Sequence, residues 1–130
     1  MSDRAVADTS LFIARETGRP VLTPTEHHEV AVSIVTIAEL EMGVLAAAEP
    51  GIRAVRLRTL REAEQLHALP VDRAVASAFA TLVIEMRDAG RSRLGVQDAW
   101  IAATAIAHDA DLLTQDADFD AVPNLRVVKV

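Results

Sequence analysis

The chain has no cysteine and no tyrosine, a single tryptophan, and one lysine, Lys129, among 130 residues. Without cysteine there is no disulfide scaffold, no thiolate zinc site and no thiol nucleophile, and a reducing cytoplasm is the compartment to expect. Aromatic residues make up 3% of the chain, which removes the stacking platforms of RNA-recognition sheets and oligonucleotide-binding barrels. No apolar run approaches the roughly 20 residues that span a bilayer. The opening Met1-Ser2-Asp3-Arg4 does not read as a signal peptide. Basic residues are also in the minority: 13 Lys and Arg against 19 Asp and Glu leave a formal charge of −6. A protein that coats nucleic acid with a basic surface is thereby excluded, and any such contact must be local.

What is present is apolar and aliphatic. With 51% hydrophobic residues, the chain is expected to form one domain over 1–130, its core built from Ala, Val, Leu and Ile. Strand and helix signals alternate along it. Arg4–Ala7 reads as a strand, and Thr9–Glu16 as a helix stopped by Gly18 and Pro20. Residues 19–29 have no period and read as a loop. Val30–Val35 is a β-branched run, and Thr36-Ile37-Ala38-Glu39 has the spacing of a capping box opening a helix to about Ala48. Pro50 suits the start of a helix running to about Ala68, followed by a short strand over Leu69–Val71. Asp72 caps a helix that Gly90 ends, and Arg91–Gly95 is a connector. Asp98–Ala110 reads as a buried helix, Asp111–Thr114 as a strand, Gln115–Ala121 as a turn or short helix, and Leu125–Val130 as a last strand. This alternation predicts a three-layer α/β/α sandwich around a mostly parallel sheet.

In such folds, sites form outside the carboxyl ends of the strands, and acids stand there repeatedly. Asp8 ends the first strand, Glu39 follows the second, Asp98 opens the late helix, and Asp116 follows Leu112-Leu113-Thr114, with Asp118 just behind. Each alone could be a helix cap, contributing about 1 kcal/mol or less. Jointly they cannot be explained so easily. Four ionised carboxylates about 5 Å apart would repel by on the order of 3 kcal/mol per pair at an effective dielectric of 20. Their sum would exceed the ~5–15 kcal/mol that holds a domain together. Protonation of one member is one answer; a divalent cation is another, and all-oxygen ligation selects Mg²⁺ or Mn²⁺. The one lysine, a residue from the end of the last strand, is not expected to do that job.

These residues carry a resemblance. Ala7-Asp8-Thr9-Ser10, Thr36-Ile37-Ala38-Glu39-Leu40 with Gly43, Gln97-Asp98-Ala99-Trp100-Ile101-Ala102-Ala103-Thr104-Ala105 and Leu113-Thr114-Gln115-Asp116-Ala117-Asp118-Phe119 look like the PIN-domain ribonuclease toxins of bacterial toxin–antitoxin pairs, the VapC type. The likeness runs from about Ala5 to Val128. It implies Mg²⁺-dependent endonucleolytic hydrolysis of RNA, with Mn²⁺ as substitute. The residues matching the metal site and catalysis are Asp8, Glu39, Asp98 and Asp116, with Asp118 as an additional or alternative metal ligand. Thr9, Ser10 and Thr114 would support them. A cognate VapB-like antitoxin and a homodimer are the implied partners. Gln115 departs from the pattern, which often has Arg there, so one cation for RNA phosphate is missing.

Rival readings follow from the same residues. Asp116, Asp118 and Asp120 mimic the start of an EF-hand, but Ala121 and Val127 replace its glycine and glutamate. A phosphoaspartyl enzyme would use Asp8 as nucleophile, yet it lacks the Asp-x-Asp of haloacid-dehalogenase-like phosphatases and a site lysine. A binding module would leave the acids spread apart as caps. His27-His28 reads as a solvated pair, His67 and His108 as residues near helix C-termini, and Trp100 as core. Arg15, Arg19, Arg91 and Arg93 are candidates for RNA phosphate, Arg91 and Arg93 foremost. Arg53, Arg56 and Arg61 serve equally for intrahelical pairing with Glu49, Glu62 or Glu64. Ile37, Leu40, Val44, Leu45, Leu57 and Leu60 could line a partner groove or pack in the core.

Overall fold

The computed structural model describes residues 3–22, 29–91 and 94–130. Among these, strands β1 (Arg4–Ala7), β2 (Glu29–Ser33), β3 (His67–Leu69), β4 (Asp111–Thr114) and β5 (Val127–Lys129) form one sheet in the order β3-β2-β1-β4-β5. Every pairing is parallel, so the expected mostly parallel sheet is parallel throughout. The helices are α1 (Thr9–Glu16), α2 (Ile34–Ala46), α3 (Pro50–Glu64), α4 (Arg73–Asp88) and α5 (Val96–Ala107), with a short 3₁₀ helix over Ala117–Ala121.

Period-two alternation in the strands divides the core between the two sheet faces. Val6 and Leu112 point to one side, where they meet Val75, Leu82 and Met86 of α4 and Ile101 and Ala102 of α5. Ala7 and Val32 point to the other, against Leu11 and Phe12 of α1, Leu40 of α2 and Leu60 of α3. The three layers are thus α4/α5, the sheet, and α1/α2/α3. Trp100 serves the first layer pair as expected of a core residue: its ring stacks on Phe79 with centroids 3.7 Å apart and planes 11° from parallel.

Several element boundaries differ from the sequence reading, among them β3, which spans His67–Leu69 rather than Leu69–Val71. Helix α2 starts at Ile34, capped by Ser33, whose Oγ accepts the Val35 N–H at 3.1 Å. The β-branched Ile34 and Val35 had extended the strand signal, but a serine able to satisfy an N-terminal amide stops it first. Helix α5 starts at Val96, with Gly95 at its cap and no side chain capping it. Helix α3 ends at Glu64, so that His67 lies in a strand rather than near a helix terminus. His108 does sit at a helix C-cap, that of α5. His27, His28 and Arg93 lie outside the described residues.

The strand order fixes where a site can be. From β1 the chain winds outward to β2 and β3, then returns to β4 and β5 on the other side of β1. The reversal between β1 and β4 opens a crevice at their carboxyl ends. The Asp8 N–H continues the β1–β4 pairing by donating to the Leu113 carbonyl at 2.9 Å, which seats Asp8 at that point.

Candidate active site

Asp8 is 2% exposed and its two carboxylate oxygens are treated differently. Oδ2 accepts the Thr114 hydroxyl at 2.8 Å and the Ser10 N–H at 3.4 Å, the latter a long cap bond for α1. Oδ1 is buried and has no hydrogen-bond partner. An unpaired carboxylate oxygen out of water is expensive, and such atoms in native structures ask for an explanation.

Two chains of hydroxyls end on acids of this rim. Thr114 Oγ1 gives its proton to Asp8, so at the 3.2 Å contact between Ser10 Oγ and Thr114 Oγ1 the serine is the donor. Ser10 Oγ accepts in turn from the Gln115 N–H at 3.0 Å, and Thr114 Oγ1 from the Asp116 N–H at 2.9 Å. In the second chain, Thr9 Oγ1 donates to Glu39 Oε1 at 2.9 Å, which leaves the Thr36 hydroxyl to donate to Thr9, also at 2.9 Å. Thr36 is fully buried in α2. It is therefore no capping-box residue, and Glu39, in the second turn of α2, caps nothing: Thr36 and Glu39, three apart on one helix face, share Thr9.

The remaining acids divide. Asp116 does act as a helix cap, its Oδ1 accepting the Asp118 N–H at 2.8 Å at the start of the 3₁₀ helix. Asp98 sits in the first turn of α5, caps nothing, and accepts no hydrogen bond among the described residues. Burial, reinforced by the facing charges of Asp8, Asp116, Glu39 and Asp118, pushes its carboxyl up to about 6. Burial also raises Glu39, with Asp8 adding to the effect and the Thr9 hydrogen bond opposing it. Asp98 thus feels acids from 90 positions before it, at Asp8, to 20 positions after it, at Asp118. Asp118 is the most distant in effect and is solvent-exposed.

No three His, Asp or Glu side chains among the described residues are arranged to hold a metal ion as they stand. Asp98 and Asp118 are the members whose carboxylates accept no hydrogen bond among the described residues. The donor set nevertheless fits a hard divalent cation. It is all oxygen, it includes the orphaned Asp8 Oδ1, and no arginine or lysine pairs with Asp8, Glu39, Asp98 or Asp116 among the described residues.

The cations are placed otherwise than expected. Lys129 does reach this rim, because parallel pairing sets it beside Thr114. Its Nζ is spent on the Asp116 carbonyl and on Asp120 Oδ1, each at 2.9 Å, and not on Asp8. The signal was the register of the last strand rather than position along the chain. Arg91 donates to the Ala121 carbonyl at 2.9 Å, which ties it to the 3₁₀ helix. Arg61 pairs with Glu64 at 2.9 Å, while Arg56 reaches the Gly43 carbonyl at 2.8 Å. Gln115 bridges the Pro20 and Val130 carbonyls at 2.9 and 3.2 Å, so this amide holds backbone where an arginine would present charge. Of the expected partner groove, Leu40, Val44 and Leu60 are buried core, whereas Leu45 and Leu57 are exposed.

A family model described as PIN domain matches residues 5–125. Ribonuclease VapC4 of Mycobacterium tuberculosis is 43% identical over 127 residues, spanning 98% of this chain and 97% of the relative. Ribonuclease VapC5 of the same organism is 43% identical over 125 residues, 96% of this chain and 92% of the relative. A crystal structure of a member of the VapBC family of toxin–antitoxin systems, VapBC-5 from Mycobacterium tuberculosis, matches with a TM-score of 0.85 at 40% identity. That match covers 99% of this chain and 100% of the other.

Proposed function

This chain belongs to the PIN domain family, among its VapC ribonucleases, and from that premise we propose that it cleaves RNA internally at a divalent cation held by Asp8, Glu39, Asp98 and Asp116. It is a ribonuclease toxin of the VapBC kind. The observation that carries the site assignment is the buried, partnerless Asp8 Oδ1 on a rim where no cation pairs with the carboxylates of Asp8, Glu39, Asp98 or Asp116 among the described residues. Mg²⁺, with Mn²⁺ as substitute, suits the oxygen donors. Bound there, such an ion lowers the pKa of water and offsets charge on the phosphoryl transition state.

The chain's own groups do the positioning. Thr114, braced by Ser10, occupies Oδ2 of Asp8 and leaves Oδ1 unengaged, and Thr9 and Thr36 orient Glu39. Asp98, untied, supplies a carboxylate that can follow the ion, and Asp118 lies at the margin as an additional ligand. Of the rival readings, the phosphoaspartyl one lacks its lysine at Asp8, since Lys129 holds Asp116 and Asp120 instead. The binding-module reading needed all the acids as caps, and Glu39 and Asp98 cap nothing.

A VapB-like antitoxin is the partner this reading requires, with Met42 and Leu45 of α2 and Ile52 of α3 as apolar surface open to it. A second copy of the chain and a cytoplasmic location complete the proposal; among the described residues no helix is long and apolar enough to cross a membrane. The test is sequencing of RNA ends after brief expression of the wild type and of Asp8→Asn. New ends are expected only with the wild type. The same ends in both would mean that the site is misassigned.

A further inference from the structure

A groove of about 510 Å³ leaves the acidic rim at Thr9 and Glu39 and runs between α1 and α2 to Arg56 of α3. Thr9, Ile13 and Glu16 line it at helical spacing along α1, and Glu39, Leu40 and Gly43 along α2. Glu16 therefore lies about 10 Å along α1 from the rim, at 1.5 Å per residue. That is within reach of a nucleotide flanking a bond cleaved there.

The groove holds two opposite charges that do not pair with each other. Glu16 is anchored by the Thr59 hydroxyl, which donates to its Oε1 at 2.7 Å. Arg56 is anchored by Nη1 on the Gly43 carbonyl at 2.8 Å. No ion pair joins them, and each keeps unused capacity: Oε2 of the glutamate, and the remaining N–H groups of the guanidinium. Gly43 is a poor helix residue at mid-helix. A Cβ at that position would meet the Arg56 side chain only at an ordinary 3.8 Å, so tight packing is not what requires glycine. What the missing side chain does is leave the groove floor clear beside Arg56.

We propose that this groove reads a guanine base of single-stranded RNA next to the cleaved bond, Glu16 accepting from its N1–H and N2–H groups and Arg56 donating to O6 and N7. The inference rests on the ribonuclease reading above. Guanine is the base that offers adjacent donors on one edge and adjacent acceptors on another, matching a fixed carboxylate and a fixed guanidinium. Ile13, half-buried on α1, gives one of its faces apolar contact in a groove that no aromatic residue lines. Sequence-specific recognition of RNA depends on such splayed, unpaired bases.

The experiment uses short single-stranded oligoribonucleotides identical except for G, A, C or U beside the cleaved bond. The wild type is expected to cleave the G version about tenfold faster than the others, and Glu16→Gln and Arg56→Lys each to flatten that preference while cleaving the A, C and U versions as before. Both variants keep an acceptor or donor for the Thr59 or Gly43 anchor, and unchanged melting temperatures establish that they fold. Binding of the same set to the full-length Asp98→Asn chain, read by fluorescence anisotropy, separates the two levels of the argument. G-selective binding without cleavage by the wild type counts against hydrolysis and upholds the groove; equal binding of all versions overturns the groove. A preference for another base, or a G preference untouched in both variants, also overturns it. So does a result in which the variants lose only inhibition by a protein partner, which would make the groove a protein site.

Discussion

Asp8 and Asp111 lie on or beside adjacent strands and are equally hidden, at 2% and 1% exposure, yet their surroundings are opposite. At the amino end of β4, Asp111 receives Arg126 Nε at 2.7 Å, and the same guanidinium also holds the Asp109 carboxylate and carbonyl at 2.9 and 2.8 Å. At the carboxyl end of β1, Asp8 receives hydroxyl and amide hydrogen bonds on one oxygen and nothing on the other. A buried acid whose countercharge comes from the chain is part of the scaffold. A buried acid among further acids, with no countercharge from the chain, is what the proposed metal site is built on.

The contrast can be broken at either end. Replacing the internal cation, Arg126→Ala, is expected to have the largest effect, lowering stability by about 3 kcal/mol in denaturant titration, with cleavage per folded molecule unchanged. A loss of specific activity would mean that the two ends are not independent. Asp8→Asn and Asp98→Asn should do the reverse: at least a 100-fold fall in cleavage, worth about 2.7 kcal/mol, with metal-free melting temperature held or raised. The wild type is expected to be stabilised by Mg²⁺, by about 2.7 kcal/mol at a hundred times Kd, read as a rise in melting temperature, and the same two variants to lose that rise. Thr36→Val, which removes the hydroxyl behind Thr9 and Glu39, is expected to lower cleavage about tenfold.

The smallest effect is one of pH. Asp98 binds its proton more tightly in the folded chain, at about 6, than the 3.8 of its ordinary value. Below that ordinary value both states are protonated and Asp98 contributes no difference. As pH rises through the interval the unfolded state ionises first, so stability falls, and the loss is complete above about 6. In metal-free protein the wild type should therefore lose stability relative to Asp98→Asn between these values. A parallel pair of curves would show that neither burial nor the other acids hold the Asp98 proton.

Much of this was legible in the chain because the alternation of strands and helices fixes a rim, and the acids recur at each strand end. What escaped was local competition and spatial adjacency. The run through Ile34 and Val35 favours a strand by side-chain shape, while Ser33 favours a helix start by hydrogen bonding, and the hydroxyl won. That moved Thr36 from cap to buried support. Lys129 was discounted by its place near the end of the chain, although parallel register sets it beside Thr114. The anchors of Glu16 and Arg56 join α1 to α3 and α2 to α3, pairings that no periodicity within one helix could reveal.

The stack of Trp100 on Phe79 has a practical consequence. With no tyrosine and no second indole, indole emission from this protein has one source, and that source rides on the same helix as Asp98. Undocking of α5 from α4 would separate the rings and change the signal without any attached dye. The molecule carries its own optical gauge of whether the helix beneath its acidic rim is in place.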